Sequence, residues 1–245
     1  MMAKEALLEI SSVSKTFGGL VALDKVDMRV HHREIVGLIG PNGAGKTTLF
    51  NVIAGSFLPE EGRILFQGQN VTKLKAHQIC RLGIARTFQV PKPFRHLSVL
   101  ENMMVGACFG SGMGIGKESL DKIEEILRFA GLEEKAFSTA DTLNLVERKK
   151  LEVSKALSTS PKLVLFDEVM SGLNPSETTE MIAFIGKLRD RGLTILLIEH
   201  LMKVIMTLSD RVVVLHYGQK LCEGMPQEVA NNPHVIEAYL GKSNA

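Results

Sequence analysis

The sequence predicts an α/β fold: strands alternating with helices, short strands over the first 40 residues, and a helical block inserted in the middle. Three observations carry this. A nearly continuous apolar run, Glu34-Ile35-Val36-Gly37-Leu38-Ile39, leads into a glycine-rich loop at residues 40–45 and then a helical pattern over 46–54. Such a run suits a strand buried on both faces of a sheet. A second run of this kind, Leu163-Val164-Leu165-Phe166, ends in Asp167-Glu168. From about residue 90 to 158 the pattern becomes helical. At 245 residues the chain suits one large domain or two small ones, with ample length for a buried core.

Taken in order, residues 7–13 are apolar and β-branched, and Lys15-Thr16-Phe17-Gly18-Gly19 reads as a turn. Residues 21–30 alternate as a half-buried strand does. After the loop and its helix, Pro59-Glu60-Glu61-Gly62 is a turn and 63–66 a strand. Within the helical block, Leu120, Ile123, Ile126, Leu127 and Ala130 fall at helical spacing, and a second helix is expected over 147–157. Strands are expected at 162–166 and 193–198. Residues 211–215 and 219–222 read as a closing hairpin around Tyr217-Gly218. The expected division is a core from 1–89 and 159–245 and a helical subdomain from 90–158. Gly110-Ser111-Gly112-Met113-Gly114-Ile115-Gly116-Lys117 mimics a phosphate loop. Glu118 stands where a hydroxyl should follow the lysine, so a flexible connection is the better reading.

Composition removes several function classes. Lys+Arg is 29 against Asp+Glu 27, a net charge of +2, which argues against a nucleic-acid binder and an acidic disordered chain alike. Cys80, Cys108 and Cys222 are scattered and form no CxxC pair, so neither a disulfide framework nor a zinc site is expected. His31, His32, His77, His96, His216 and His234 show no metal-like spacing. A charge pair, Lys4-Glu5, sits where an export signal needs apolar residues, so none is expected. No run approaches the ~20 apolar residues of a membrane span. Mean hydropathy is nonetheless +0.11, which suggests apolar surface buried against partners.

The chemistry concentrates at two places. Gly40-Pro41-Asn42-Gly43-Ala44-Gly45-Lys46-Thr47 matches G-x-x-x-x-G-K-[ST], between a buried strand and a helix. Glycines let successive N–H groups turn inward onto phosphate oxygens, and the helix adds its positive N-terminal end. Lys46 supplies charge to the β- and γ-phosphates, and Thr47 offers a hydroxyl to Mg²⁺. The acids that close the second strand lie 167 − 46 = 121 residues beyond Lys46. At the C-terminal end of a parallel strand they aim at the ligand edge of a sheet. Asp167 suits a magnesium hydration shell, and Glu168 suits a general base acting on water.

These residues, with further stations in order, resemble the ATP-binding subunits of ABC transporters, and the resemblance spans essentially the whole chain. It implies a P-loop NTPase (RecA-like) core with an N-terminal antiparallel β-subdomain and an inserted helical subdomain. Phe17 resembles the aromatic that stacks on adenine, and Thr48 completes the phosphate loop. Gln89 resembles the glutamine that links the Mg²⁺ site to the helical subdomain, which makes Thr47, Gln89 and Asp167 the implied metal ligands. Ser171-Gly172-Leu173-Asn174-Pro175 resembles the loop after the catalytic carboxylate, and His200 the histidine that touches the γ-phosphate. The signature departs from Leu-Ser-Gly-Gly-Gln: it reads Leu143-Asn144-Leu145-Val146-Glu147. Asn144 can still cap a helix, with Glu147 closing a capping box, while Val146 replaces a glycine.

The resemblance implies an ATPase using ATP and Mg²⁺, with Glu168, His200 and Lys46 as its catalytic groups. It implies a second ATP-binding subunit, identical or not, transmembrane permease subunits, and indirectly an extracytoplasmic substrate-binding protein. The location implied is the cytoplasmic face of the inner membrane, peripheral. Asp167 to Pro175 and the C-terminal Asn232 to Gly241 resemble the branched-chain amino acid importers, with amide and urea importers close behind. Residues 91 to about 108 are the expected docking surface, through Phe94, Leu97, Val99, Leu100, Met103 and Met104. The alternative of an ATPase working on DNA or ribosomes lacks its coiled coils, zinc modules or second cassette. A P-loop kinase or GTPase would leave Gln89, Ser171 to Pro175 and His200 unexplained.

Overall fold

The computed structural model describes residues 5–111 and 116–240. In chain order the strands and helices are β1 (Ala6–Phe17), β2 (Leu20–His31), β3 (Ile35–Ile39), α1 (Lys46–Ile53), β4 (Glu61–Phe66), β5 (Gln69–Asn70), α2 (Ala76–Leu82), β6 (Ile84–Arg86) and α3 (Val99–Gly106). Then come α4 (Lys117–Ala130), α5 (Leu145–Ser158), β7 (Leu163–Asp167), α6 (Pro175–Asp190), β8 (Thr194–Ile198), α7 (Met202–Leu208), β9 (Arg211–His216), β10 (Gln219–Gly224), α8 (Pro226–Ala230) and α9 (Pro233–Leu240). The chain divides into two compact units, residues 1–76 with 188–245, and residues 77–187.

The first unit holds two sheets. One is antiparallel, in the order β2-β1-β4-β5. The hairpin of β1 and β2 stays paired to its tip, Thr16 opposite Val21 and Phe17 opposite Leu20. The turn expected over residues 15–19 is therefore confined to Gly18-Gly19, where Gly18 takes φ +58°. Lys15, Thr16 and Phe17 belong to the strand because their cross-strand partners Leu23, Val21 and Leu20 hold them there. The second sheet brings β3 into parallel pairing with β8 on one side and β9 on the other, and β10 folds back antiparallel on β9. All five residues of β3 and of β8 are buried. This explains why both read as unbroken apolar runs.

In the second unit β6 and β7 pair in parallel, Ile84 opposite Leu163 and Arg86 opposite Leu165. All five residues of β7 are buried, down to the carboxylate that ends it. The helical pattern is realised by α3, α4 and α5. In α4 the expected face is buried at Ile123, Ile126, Leu127 and Ala130 and only partly at Leu120, and the helix stops at Gly131 with φ +68°. α3 starts in a capping box of Ser98 and Glu101 and continues into one π-helical turn, Ala107–Ser111.

The apolar stretch expected to form a docking patch is split. Val99 and Met103 are fully buried, whereas Phe94 is exposed and Leu97, Leu100 and Met104 lie between. Buried Asn102 explains the arrangement. Its side-chain amide donates to the carbonyls of Phe94, Leu97 and Ser98, and its oxygen accepts from Phe94 N–H at 2.8 Å. One side chain thus holds the loop before α3 with Phe94 outward. Of the glycine-rich stretch at residues 110–117, residues 112–115 lie outside the described residues.

Candidate nucleotide-binding site

In the first unit the glycine-rich loop leaves β3 at Gly40 and enters α1 at Gly45. Gly45 caps the helix with φ +100°, and a Cβ there would sit 2.4 Å from Ala22 O. Only glycine fits that backbone and that approach. No side chain caps α1, and its first turn carries no acid. Its leading amides are therefore not taken up by a carboxylate of their own first turn. Asn42, Gly43 and Thr47 are exposed along the loop, so an outside ligand can reach them. Lys46 is buried, and its Nζ donates to the carbonyls of Gly40 at 2.7 Å and Pro41 at 2.9 Å. A burial of this kind needs such partners. The loop is braced from behind as well: Gly218 N–H donates to Ala44 O at 3.1 Å, and Asp24 N–H to Gly218 O at 2.8 Å.

Phe17 is not core packing. Its ring is 42% exposed at the end of β1, edge-on to Phe57 at 5.2 Å, with the Lys15 ammonium 5.2 Å from the ring centroid. A half-exposed aromatic braced on one edge keeps a face for stacking. Lys15 is in turn held by Glu60 at 2.6 Å, and that hydrogen bond keeps the Glu60 carboxyl below its ordinary pKa. His200 is exposed, two residues past β8, and follows buried Glu199.

In the second unit the carboxylates are held by partners. Asp167 accepts from Arg86 at 2.9 Å through Oδ2, both side chains being largely buried. Glu168 accepts from Gln89 Nε2 at 2.5 Å through Oε2. Glu168 also sits at φ +50°, in the left-handed region that non-glycine residues avoid. Ser12, Lys25, Arg33, Gln67, Ser160 and Tyr217 share that backbone region, so the strain alone does not single out Glu168. Asn174, in the following loop, caps α6 by accepting from Ser176 and Glu177 N–H, and Glu177 accepts from Asn174 N–H in return.

Asn144 caps α5. Its Oδ1 accepts from Glu147 N–H at 2.9 Å, and Glu147 Oε2 accepts from Asn144 N–H at 3.0 Å, closing the capping box. Lys135 holds the other Glu147 oxygen at 2.5 Å. Burial pushes the Glu147 pKa up, but the Lys135 hydrogen bond, the Asn144 N–H and the Lys135 and Lys150 charges outweigh it and leave it below the ordinary value.

Two further residues at these sites carry no local sequence signal. Arg86 grips Asp167 and belongs to the Arg86-Thr87-Phe88-Gln89 segment singled out only for its glutamine. Tyr239, in α9, accepts a hydrogen bond from Gly40 N–H at 2.7 Å.

Comparison with known proteins fits this geometry. The family profile described as ABC transporter matches residues 23–171, and one described as Branched-chain amino acid ATP-binding cassette transporter matches residues 219–244. The High-affinity branched-chain amino acid transport ATP-binding protein LivG of Escherichia coli is 40% identical across 98% of this chain and 99% of its own. The corresponding protein BraF of Pseudomonas aeruginosa is 37% identical across 97% and 98%. A crystal structure of the ADP conformation of an ATP-binding cassette of an ABC transporter superposes with a TM-score of 0.90 at 32% identity, covering 98% of this chain and all of that one.

Proposed function

Because this chain belongs to the ABC transporter ATP-binding cassette family, we propose that it is the ATP-hydrolysing subunit that powers an importer of branched-chain amino acids. The observation that carries the reading is the loop at residues 40–47, with its amides leading into a helix that no side chain caps. The substrate class is supported by the names of the relatives and by the C-terminal profile. The chain works with membrane permease subunits, at the cytoplasmic face of the membrane. Among the described residues no helix is long and apolar enough to cross a membrane.

The chemistry follows from the groups in each unit. Backbone amides of the loop bind the phosphates, and Lys46 exchanges its two carbonyl partners for β- and γ-phosphate oxygens. Phe17 stacks on the adenine. Glu168 takes a proton from the attacking water, whose oxygen bonds to the γ-phosphorus as the bond to the ADP oxygen breaks. Gln89 orients Glu168, and His200 with Lys46 stabilises charge on the transferred phosphoryl group. Thr47, Asp167 and Gln89 offer hard oxygen donors of the class Mg²⁺ takes alongside water and phosphate. That ion, when bound, neutralises phosphate charge, and Arg86 fixes the carboxylate that would hold it. A second ATP-binding subunit contributes its own Asn144-like helix start, and permease subunits dock on residues 91–108, with Phe94 foremost.

Substitution Glu168→Gln tests the assignment. Turnover should fall at least about a hundredfold, the scale of a lost general base, with ATP still bound and an ATP-held dimer accumulating. Steady-state hydrolysis near the wild-type rate would remove Glu168 from that role.

A further inference from the structure

We propose that Tyr239 of α9 is a positioning residue for the nucleotide loop, its hydroxyl fixing the first glycine of that loop and thereby setting nucleotide affinity. This rests on the reading of the site given above.

β3 pairs with β9 up to the edge of the loop. Ile39 opposite Val214 is the last rung of that ladder. Gly40 then turns away at φ +150°, so close to β9 that a Cβ would lie 2.1 Å from Leu215 O. Its N–H has left the sheet and needs a partner elsewhere. The Tyr239 hydroxyl supplies it at 2.7 Å, from 199 residues away in the chain. The carbonyl of the same residue accepts from Lys46 Nζ at 2.7 Å. Both polar groups of Gly40 are thus held by side chains, and one of those side chains is the lysine that phosphate competes for. As Lys46 turns to phosphate, the grip on Gly40 passes to Tyr239.

The placement of Tyr239 is built, not incidental. Buried Val235 anchors α9, and Tyr239 lies one turn on along the same face. Its ring lines a largely apolar cavity of about 580 Å³ together with Ile39, His200 and Met206. Tyr239 is 46% exposed, and the part of it that is covered pushes the phenol above its ordinary pKa against the pull of the Gly40 N–H. The residue belongs to the C-terminal segment of residues 219–244, which gives that segment a task at the nucleotide loop.

The experiment compares Tyr239→Phe and Tyr239→Leu in the full chain. Phenylalanine keeps the ring and loses only the acceptor, and leucine loses both. Both variants should raise the ADP and ATP dissociation constants about threefold to tenfold, the scale of one hydrogen bond. Turnover at saturating ATP should stay within about twofold. Hydrogen exchange at the Gly40 amide should quicken in both, without nucleotide. If Tyr239→Phe matches wild type in affinity and in Gly40 exchange, and only Tyr239→Leu is impaired, Tyr239 is a packing residue and the proposal fails. If wild type itself binds no adenine nucleotide, the reading of the site fails with it; Gly40 exchange still reports the hydrogen bond.

Discussion

The starts of α1 and α5, the two places proposed to meet phosphate, are made of different materials. The loop leading into α1 is built from backbone, with glycine at Gly40, Gly43 and Gly45 in the left-handed region and no side-chain cap on the helix. The start of α5 is built from side chains that hold one another, Asn144 to Glu147 and Glu147 to Lys135. The carboxylate edge follows the second pattern, through Arg86 with Asp167 and Gln89 with Glu168. A backbone site keeps its amides for a ligand and leaves no room for a Cβ at Gly40 or Gly45. A side-chain site satisfies itself, so a single substitution can retune it. At α5 the capping carboxylate also places negative charge at the helix end where phosphate would be favoured.

The largest effect is expected at the backbone site. Gly45→Ala forces a Cβ to within 2.4 Å of Ala22 O, at φ +100°. Strain of ~1–3 kcal/mol plus the clash must be relieved by moving the loop. Nucleotide binding, measured by fluorescence titration, should fall at least about a hundredfold, with the protein still folded by circular dichroism. An alanine variant that binds like wild type would show that the loop is no more exacting than α5.

The same contrast decides what could be read from sequence. The glycine loop was legible because its eight positions are contiguous, with a backbone reason for the glycines and a side-chain reason for Lys46 and Thr47. The α5 capping box was legible because Asn144 and Glu147 are three residues apart. Strands β3, β7 and β8 announced themselves because burial on both faces leaves an unbroken apolar run. Arg86 with Asp167 and Gly40 with Tyr239 were not legible, being 81 and 199 residues apart, where no local period survives. The apolar residues around α3 could be read as a patch but not divided into core and surface. The division depends on Asn102, whose four hydrogen bonds to the preceding loop turn Phe94 outward.

A smaller effect is expected from Glu147→Gln, which removes the charge and keeps an oxygen for Asn144 N–H. Loss of the partly exposed Lys135 pair and of a carboxylate at a helix start should cost up to ~1 kcal/mol, about 2–4 °C in melting temperature. Nucleotide-driven dimerisation, measured by sedimentation in a Glu168→Gln background, should strengthen, because phosphate no longer meets a carboxylate at α5. The stability cost should depend on pH. Glu147 titrates below its ordinary value of 4.5 in the folded protein, so its contribution is present above that value and is lost as pH falls through the lower folded pKa. The gap in melting temperature between variant and wild type should therefore close on acidification from pH 6 to below 4. A gap that persists would mean that charge plays no part there.

The smallest effect is expected from Val146→Gly, at the second residue of α5. Val146 is half-buried, and the capping box on either side of it does not use its side chain. Valine and glycine differ in helix propensity by only a few tenths of a kcal/mol, so stability should hardly move. Removing the side chain lets a phosphate approach the helix backbone more closely. If the start of α5 contacts the nucleotide held by a second subunit, hydrolysis at low ATP should stay level or rise. A sharp loss of activity with an unchanged melting temperature would mean that the valine side chain is itself a contact. The self-satisfied helix start would then be an adapted site, specified by side chains as firmly as the glycine loop is by backbone.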